Sequence, residues 1–315
     1  MKTLVIHTGG TIGMVQTEQG FAPKAGVVED CLIELQYQGQ IKGRFDLSVA
    51  MPLIDSANAT PQDWNWIATR IAKHHSDYDA FVVTHGTDTL AYTSSALCFA
   101  LEGLQKPVIL TGAMLPLTEP QNDGRRNLLD AMATARDCAA GVWVQFAGQK
   151  LHGTRVRKSH SSAFDAFNAS PSSALPIHQA AEFRRHSYGD FNVPVLGATP
   201  GMSGCVVQFC AQRADGIVLR CYGSGTLPDS PDLTEALKTA QQRGIPVIAV
   251  SQCAEGGISL GTYAAGSLLQ EAGVIDGRDA TAEAAYAKLQ YVLSRHQTPK
   301  ARRDALAQPL CGEFS

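Results

Sequence analysis

Through the first half of the chain, short continuous runs of apolar and β-branched residues alternate with stretches of helical period, and three of the runs close on a segment that carries glycine and threonine. Ala80 to Thr84 reads AFVVT, and Pro107 to Thr111 reads PVILT. Runs without polar alternation are buried on both faces, the condition of strands in a parallel sheet covered by helices. Lys2 to His7, Leu47 to Leu53 and Val142 to Phe146 are further candidate strands. Between them a helix is expected from Thr60 to about His75. Thr60-Pro61-Gln62-Asp63 supplies its cap, a proline at the first helical position and an acid in the first turn, and Trp64, Ile67 and Ile71 lie on its apolar face. Leu90 to Glu102 and Asn127 to Ala140 also read as helices, so the pattern predicts an α/β fold built on a parallel sheet.

The alternation breaks from Gly148 to about Val195, where Ser, Pro, Ala, Asn and His dominate as in a long connecting segment. It resumes with strands at Gly216 to Arg220 and Pro246 to Ser251, a helix opening at Ser230-Pro231-Asp232, and helices at Thr281 to Ser294 and Pro299 to Ala307. A chain of 315 residues is about twice the usual ~150-residue domain. Two domains are therefore expected: 1–190 as a larger N-terminal α/β domain carrying the catalytic loops, 191–212 as a linking region, and 213–315 as a smaller C-terminal α/β domain.

Charge narrows the function. Lys and Arg number 26 against 29 Asp and Glu, for a formal net charge of -3, with no run of like charge. Nucleic acid and membrane surfaces are thereby disfavoured as partners, since both need a basic face to meet their phosphates. No apolar stretch approaches the ~20 residues that cross a bilayer. Leu4-Val5-Ile6 is too short for the core of a secretory signal. The eight cysteines form neither a C-x-x-C pair nor a zinc spacing, which fits a reducing compartment. A cytoplasmic protein without a metal is the expectation.

In a parallel α/β sheet ligands gather outside the carboxyl ends of the strands. Four polar loops stand there: Thr8-Gly9-Gly10-Thr11-Ile12-Gly13, Asp55-Ser56-Ala57-Asn58, Thr84-His85-Gly86-Thr87-Asp88-Thr89, and Thr111-Gly112-Ala113-Met114. The first is neither G-x-G-x-x-G nor a P-loop and has no basic residue beside it, so phosphate binding is disfavoured. Threonine is a weak nucleophile unless a base or a preorganised charge array takes its proton as it attacks. Thr11 and Thr87 lie on loops expected to face each other, Asp88 can accept from a substrate ammonium, and Ser56 with backbone amides can hold a carboxylate. That set describes an amino-acid site. A lysine beside an aspartate and a hydroxyl can act as proton acceptor when burial favours its neutral form, and Lys158 is the candidate, against the plainer reading of a solvated loop charge. His7, His85 and His160 read as structural, with no spacing for a Ser-His-Asp triad, and Asn127 reads as a helix cap.

The paired segments TGGTI at Thr8 to Ile12 and HGTDT at His85 to Thr89 resemble the signatures of the bacterial-type L-asparaginases. The resemblance extends through DSANATPQDW (Asp55 to Trp64), KPVILTGAMLP (Lys106 to Pro116), NDGRRNLLDA (Asn122 to Ala131), FDAF (Phe164 to Phe167), CYGSG (Cys221 to Gly225) and SQC (Ser251 to Cys253). It covers nearly the whole chain and is nearer the cytoplasmic type I branch than the periplasmic type II branch. It implies a larger N-terminal parallel-sheet domain with a smaller C-terminal α/β domain, hydrolysis of L-asparagine to L-aspartate and ammonia, no cofactor, and a homodimer or homotetramer.

Carried over by position, it implies that Thr11 is the nucleophile and that Thr87, Lys158 and Asp88 form an array that activates water or relays a proton. Asp88 would also bind the substrate amino group, Asp55, Ser56 and Ala57 would line the carboxylate, and the Ala113 backbone would meet the side-chain amide. Two departures stand out. Phe21 occupies the place of a loop tyrosine, and Arg155-Val156-Arg157-Lys158 replaces the family's R-T-T-K, so the hydroxyl of the type I effector site is missing although Cys253 matches its cysteine. The alternatives are a glutaminase-leaning or transamidating enzyme of the same fold, separated by an energy of only ~1–3 kcal/mol, and a non-catalytic asparagine sensor.

Overall fold

The computed structural model describes residues 1–261 and 264–315, and the side chains of all of these except 264–267. The chain divides into two units, Met1–His186 and Ser187–Ser315.

The apolar runs of the first unit become one sheet. Its elements are β1 (Lys2–Gly9), β2 (Met14–Thr17), β3 (Gly20–Pro23), α1 (Val27–Tyr37), β4 (Arg44–Ile54), α2 (Pro61–Lys73), β5 (Ala80–Thr84), α3 (Leu90–Ala100), β6 (Leu101–Glu102), β7 (Pro107–Thr111), α4 (Gly124–Asp137), β8 (Gly141–Phe146), β9 (Gln149–His152), β10 (Val156–Lys158), β11 (Phe167–Ala169) and β12 (Arg184–Arg185). The sheet runs β4-β1-β5-β7-β8-β9, parallel except for the antiparallel β8–β9 pair. Every residue of β5 is buried, as a central strand covered on both faces requires. On α2, Thr60 and Asp63 form a capping box, Pro61 opens the helix, and Trp64, Ile67 and Ile71 are buried. Between α1, α4 and the sheet, Val5, Leu32, Val82, Ile109, Leu128 and Met132 belong to one core cluster. The segment without clear period after Gly148 is not structureless: it holds β9 to β12, each of four residues or fewer.

The second unit is a smaller sandwich of the same kind. Its elements are β13 (Val195–Gly197), α5 (Gly204–Arg213), β14 (Ile217–Cys221), α6 (Pro231–Gln242), β15 (Val247–Ser251), α7 (Ala264–Glu271), β16 (Ile275–Asp276), α8 (Ala282–Arg295) and α9 (Pro299–Ala307). Among the described residues its sheet is parallel, in the order β13-β14-β15-β16. The stretch 191–212, read as a linking region, carries β13 and most of α5, and Val207 and Ala211 are buried in the core with Leu233 and Leu237.

A charged pair lies inside this second unit. Lys288 Nζ on α8 is 2.8 Å from Glu313 Oε1, with the side chains only 1% and 0% exposed. Glu313 also accepts from the backbone N–H groups of Leu310 and Cys311, which folds the chain end back onto α8. Burial pushes the Lys288 pKa down, with the Glu313 charge opposing. Removing one partner strands the other charge away from water, so Lys288→Met is expected to cost about 3–5 kcal/mol of stability in chemical denaturation. The double variant Lys288→Met/Glu313→Gln is expected to recover part of the loss. No helix among the described residues is long and apolar enough to cross a membrane.

Candidate active site

The four loops expected at the carboxyl ends of the strands meet, and glycines are the reason they can. Past β1, Gly10 has φ +84° and passes so close to Gly86 that a Cβ on Gly10 would run into the Gly86 backbone. Thr11 begins the short 3-10 turn Thr11–Gly13, pinned by Gly13 N–H to Gly10 O at 3.1 Å and Leu117 N–H to Ile12 O at 3.2 Å. Gly86 lies against Ser56, where a side chain would meet the Ser56 hydroxyl, and Thr89 Oγ1 donates to Ser56 O at 2.8 Å. Gly112, leading to Ala113, passes equally close to the His85 carbonyl. The Thr11 turn, the Ser56 turn, the Thr87 loop and the Ala113 loop are thus one cluster.

Lys158 joins it from another direction. It ends β10, whose pairing with β11 sets Lys158 opposite the buried Phe167. Its Nζ donates to Thr87 Oγ1 at 2.8 Å and to Asp88 Oδ1 at 2.7 Å. The Lys158 side chain is 21% exposed and that of Asp88 62%, so the lysine head is sheltered while the carboxylate still faces open space. The solvated-loop reading of Lys158 therefore fails, because a strand too short to show a period holds it in place.

The remaining residues named from sequence divide by role. Ser56 and Ala113 are buried within the cluster, whereas Asp55 and Ala57 are exposed. The Asp55 carboxylate accepts from Ala57 N–H at 3.1 Å and caps the Ser56–Asn58 turn, which orients Ser56 from behind. Two further residues support the site, Asp123, which the sequence reading gave no role, and Asn127, which it took for a helix cap. Asp123 accepts from the backbone N–H groups of Met114 and Leu115 at 3.0 Å, and Asn127 donates to Gly112 O at 3.0 Å while accepting from Ala147 N–H at 3.0 Å. Asn127 is not a cap: α4 begins at Gly124, so Asn127 lies inside the first turn and is buried against the Ala113 loop. The signal was the turn-forming Asn122-Asp123-Gly124, which starts the helix earlier than its apolar period suggests.

The family model described as asparaginase, N-terminal, matches residues 2–187, and that of the glutaminase/asparaginase C-terminal domain matches 192–306. The chain belongs to the asparaginase family. L-asparaginase 1 of Escherichia coli K12 is 39% identical to it over 99% of this chain and 97% of its own length. Among solved structures, the thermostable L-asparaginase of Thermococcus kodakarensis is 35% identical, with a TM-score of 0.86, covering 100% of this chain and 99% of its own. L-asparaginase I of Vibrio cholerae is 33% identical with a TM-score of 0.87, at the same coverage.

Within this asparaginase-family chain the segment after Thr11 is a hairpin of β2 and β3, and Phe21 stands on β3 opposite Gln16, 44% exposed. Beneath the Thr87 loop, His85 is fully buried in a satisfied chain: Trp64 Nε1–H donates to Thr93 Oγ1, Thr93 Oγ1 lies 3.0 Å from His85 Nε2, and His85 Nδ1 lies 2.8 Å from the Gly86 carbonyl. A carbonyl only accepts, so the ring proton sits on Nδ1 and Nε2 accepts from Thr93. Among the described residues no cluster of three or more His, Cys, Asp or Glu is arranged to hold a metal ion.

Burial holds the pKa values of His7, His75 and His85 below the usual histidine value, with the Lys106 charge adding to the effect at His75. The unfolded chain binds protons that the folded chain refuses, so these groups make stability rise with pH. The melting temperature is expected to fall as the pH drops through and below about 6.5, the unfolded histidine value. A melting temperature that rises over that interval would contradict the assignment of three imidazoles held neutral by their surroundings.

Proposed function

We propose that the chain is an L-asparaginase that hydrolyses L-asparagine to L-aspartate and ammonia through an acyl-enzyme on Thr11. The observation that carries the reading is the contact of Lys158 Nζ with both Thr87 Oγ1 and Asp88 Oδ1, on a loop that abuts the Thr11 turn. The substrate is a zwitterion with a short amide arm. Asp88 takes its ammonium, and Ser56 with the turn that Asp55 caps takes its carboxylate. The amide carbon is thereby presented to Thr11, with the Ala113 backbone against the amide group.

Thr11 Oγ attacks that carbon, its proton passes to the leaving amide nitrogen, ammonia departs, and an aspartyl ester remains. Water then attacks the ester, giving up a proton to the Thr87–Lys158–Asp88 array, and Thr11 is regenerated as aspartate leaves. Holding both reactants on rigid loop backbones supplies much of the rate, because orientation is settled before the chemistry. Phe21 carries no hydroxyl, so proton transfer at Thr11 proceeds without a phenol from β3. A cytoplasmic homodimer or homotetramer belongs to the same proposal and rests on the family resemblance.

Initial rates of ammonia release from L-asparagine and L-glutamine test the reading. Faster release from asparagine is expected. Faster release from glutamine would move the assignment to the glutaminase alternative, and tight asparagine binding with no ammonia would favour the sensor.

A further inference from the structure

His7 lies where three parts of the site converge, and two polar atoms around it are buried without a hydrogen-bond partner. The residue is fully buried near the end of β1. Its Nδ1 is 2.7 Å from Oγ1 of Thr84, the last residue of β5 and the start of the Thr87 loop. Its other edge faces the Thr11–Gly13 turn, since a Cβ on Gly13 would stand 3.0 Å from His7 Nε2 and 3.1 Å from Cε1. Nε2 is buried and unpartnered, and so is Oε2 of Glu29 in the first turn of α1. Glu29 is near enough for its charge to act on the ring. The residues that pair with or pack on His7 from β4, β5 and the turn, namely Val49, Thr84 and Gly13, are uncharged.

The Thr84 hydroxyl can donate to Nδ1 or accept from it, and no hydrogen bond joins Nε2 to Glu29; the nearby Glu29 charge favours the neutral form with its single proton on Nε2 and Nδ1 accepting from Thr84. Thr84 is held a second time, because Thr8 Oγ1 donates to its carbonyl at 2.8 Å.

We propose that His7 is a positioning residue for the hydrolysis, setting the Thr11 turn against the Thr87 loop through Thr84, with the Glu29 charge biasing which ring nitrogen carries its proton. The proposal rests on the asparaginase reading above. It also ties α1, far from the substrate in sequence and in role, to the placement of the nucleophile.

The test measures kcat and KM for L-asparagine across pH in the unaltered protein and in His7→Leu, His7→Asn and Glu29→Gln. His7→Leu is expected to lower kcat by about 10–100-fold, since a displacement of about 1 Å costs on the order of 10²-fold, with KM changing less than about threefold. His7→Asn, which keeps a polar atom toward Thr84, is expected to recover part of that loss. Protonating His7 puts a proton on Nδ1 and forces the Thr84 hydroxyl to turn from donor to acceptor, so kcat is expected to fall on the acid side. Without the Glu29 charge the imidazole protonates less readily, so in Glu29→Gln the acid limb moves to lower pH. Should His7→Leu not fold, the Glu29→Gln limb decides. An unmoved acid limb, or a folded His7→Leu with kcat within twofold of the unaltered protein, overturns the proposal while leaving the asparaginase reading intact. An unaltered protein that releases no ammonia from asparagine overturns that reading instead, and this one with it.

Discussion

Thr11→Ala is expected to release ammonia from L-asparagine at less than about one ten-thousandth of the unaltered rate, because the acyl acceptor itself is gone. The loss is confined to kcat. Asp88, Ser56 and the Ala113 loop are untouched, so asparagine still binds, and titration calorimetry is expected to return an affinity within a few-fold of the KM of the unaltered protein. Folding is spared as well. Thr11 is half-buried on a turn held by backbone bonds from Gly13 and Leu117, and none of those uses its side chain. A variant that binds substrate, melts as the unaltered protein does and yet makes no ammonia separates chemistry from recognition. Activity within tenfold of the unaltered rate would remove Thr11 from the mechanism.

Lys158→Met is expected to lower kcat by about 10²–10⁴-fold, the usual span for loss of a positioned proton-transfer group. Methionine keeps the stem and its packing while Thr87 Oγ1 and Asp88 Oδ1 lose their common partner. Stability is expected to change by no more than about 1 kcal/mol, since the Asp88 carboxylate is 62% exposed and stays solvated without the lysine. A loss of activity accompanied by a matching loss of stability would make Lys158 a structural residue. Arginine should not rescue, because a guanidinium is too basic to pass protons and spreads its donors in a fork.

Strands β5 and β7 were legible because burial on both faces, complete in β5 and from Val108 onward in β7, writes itself as an unbroken apolar run, and the loops beyond them because glycine and threonine interrupt that run abruptly. α2 announced its start with a capping box and a proline. What escaped the pattern depends on partners distant in sequence. β10 has three residues, too few for a period, and Lys158 is placed by pairing with Phe167. The hairpin of β2 and β3 has four residues a side and is largely exposed, so no apolar stripe marks it. Asn127 looked like a cap because a cap and an inward-facing first-turn asparagine share the same letter, and only the Gly112 carbonyl tells them apart. Lys288 was indistinguishable from a surface lysine on a helix until Glu313, 25 residues on, was seen folded against it. The roles of Thr11, Thr87, Asp88 and Lys158 came jointly from residue chemistry and family resemblance, and the geometry brings three of the four into direct contact.

The central claim is a covalent aspartyl ester on Thr11, and acid quenching of the unaltered protein during turnover of L-asparagine, followed by digestion and mass spectrometry, tests it most directly. The account predicts an aspartyl adduct on the peptide that carries Thr11 and on no other. The same adduct on the peptide that carries Thr87 would contradict it.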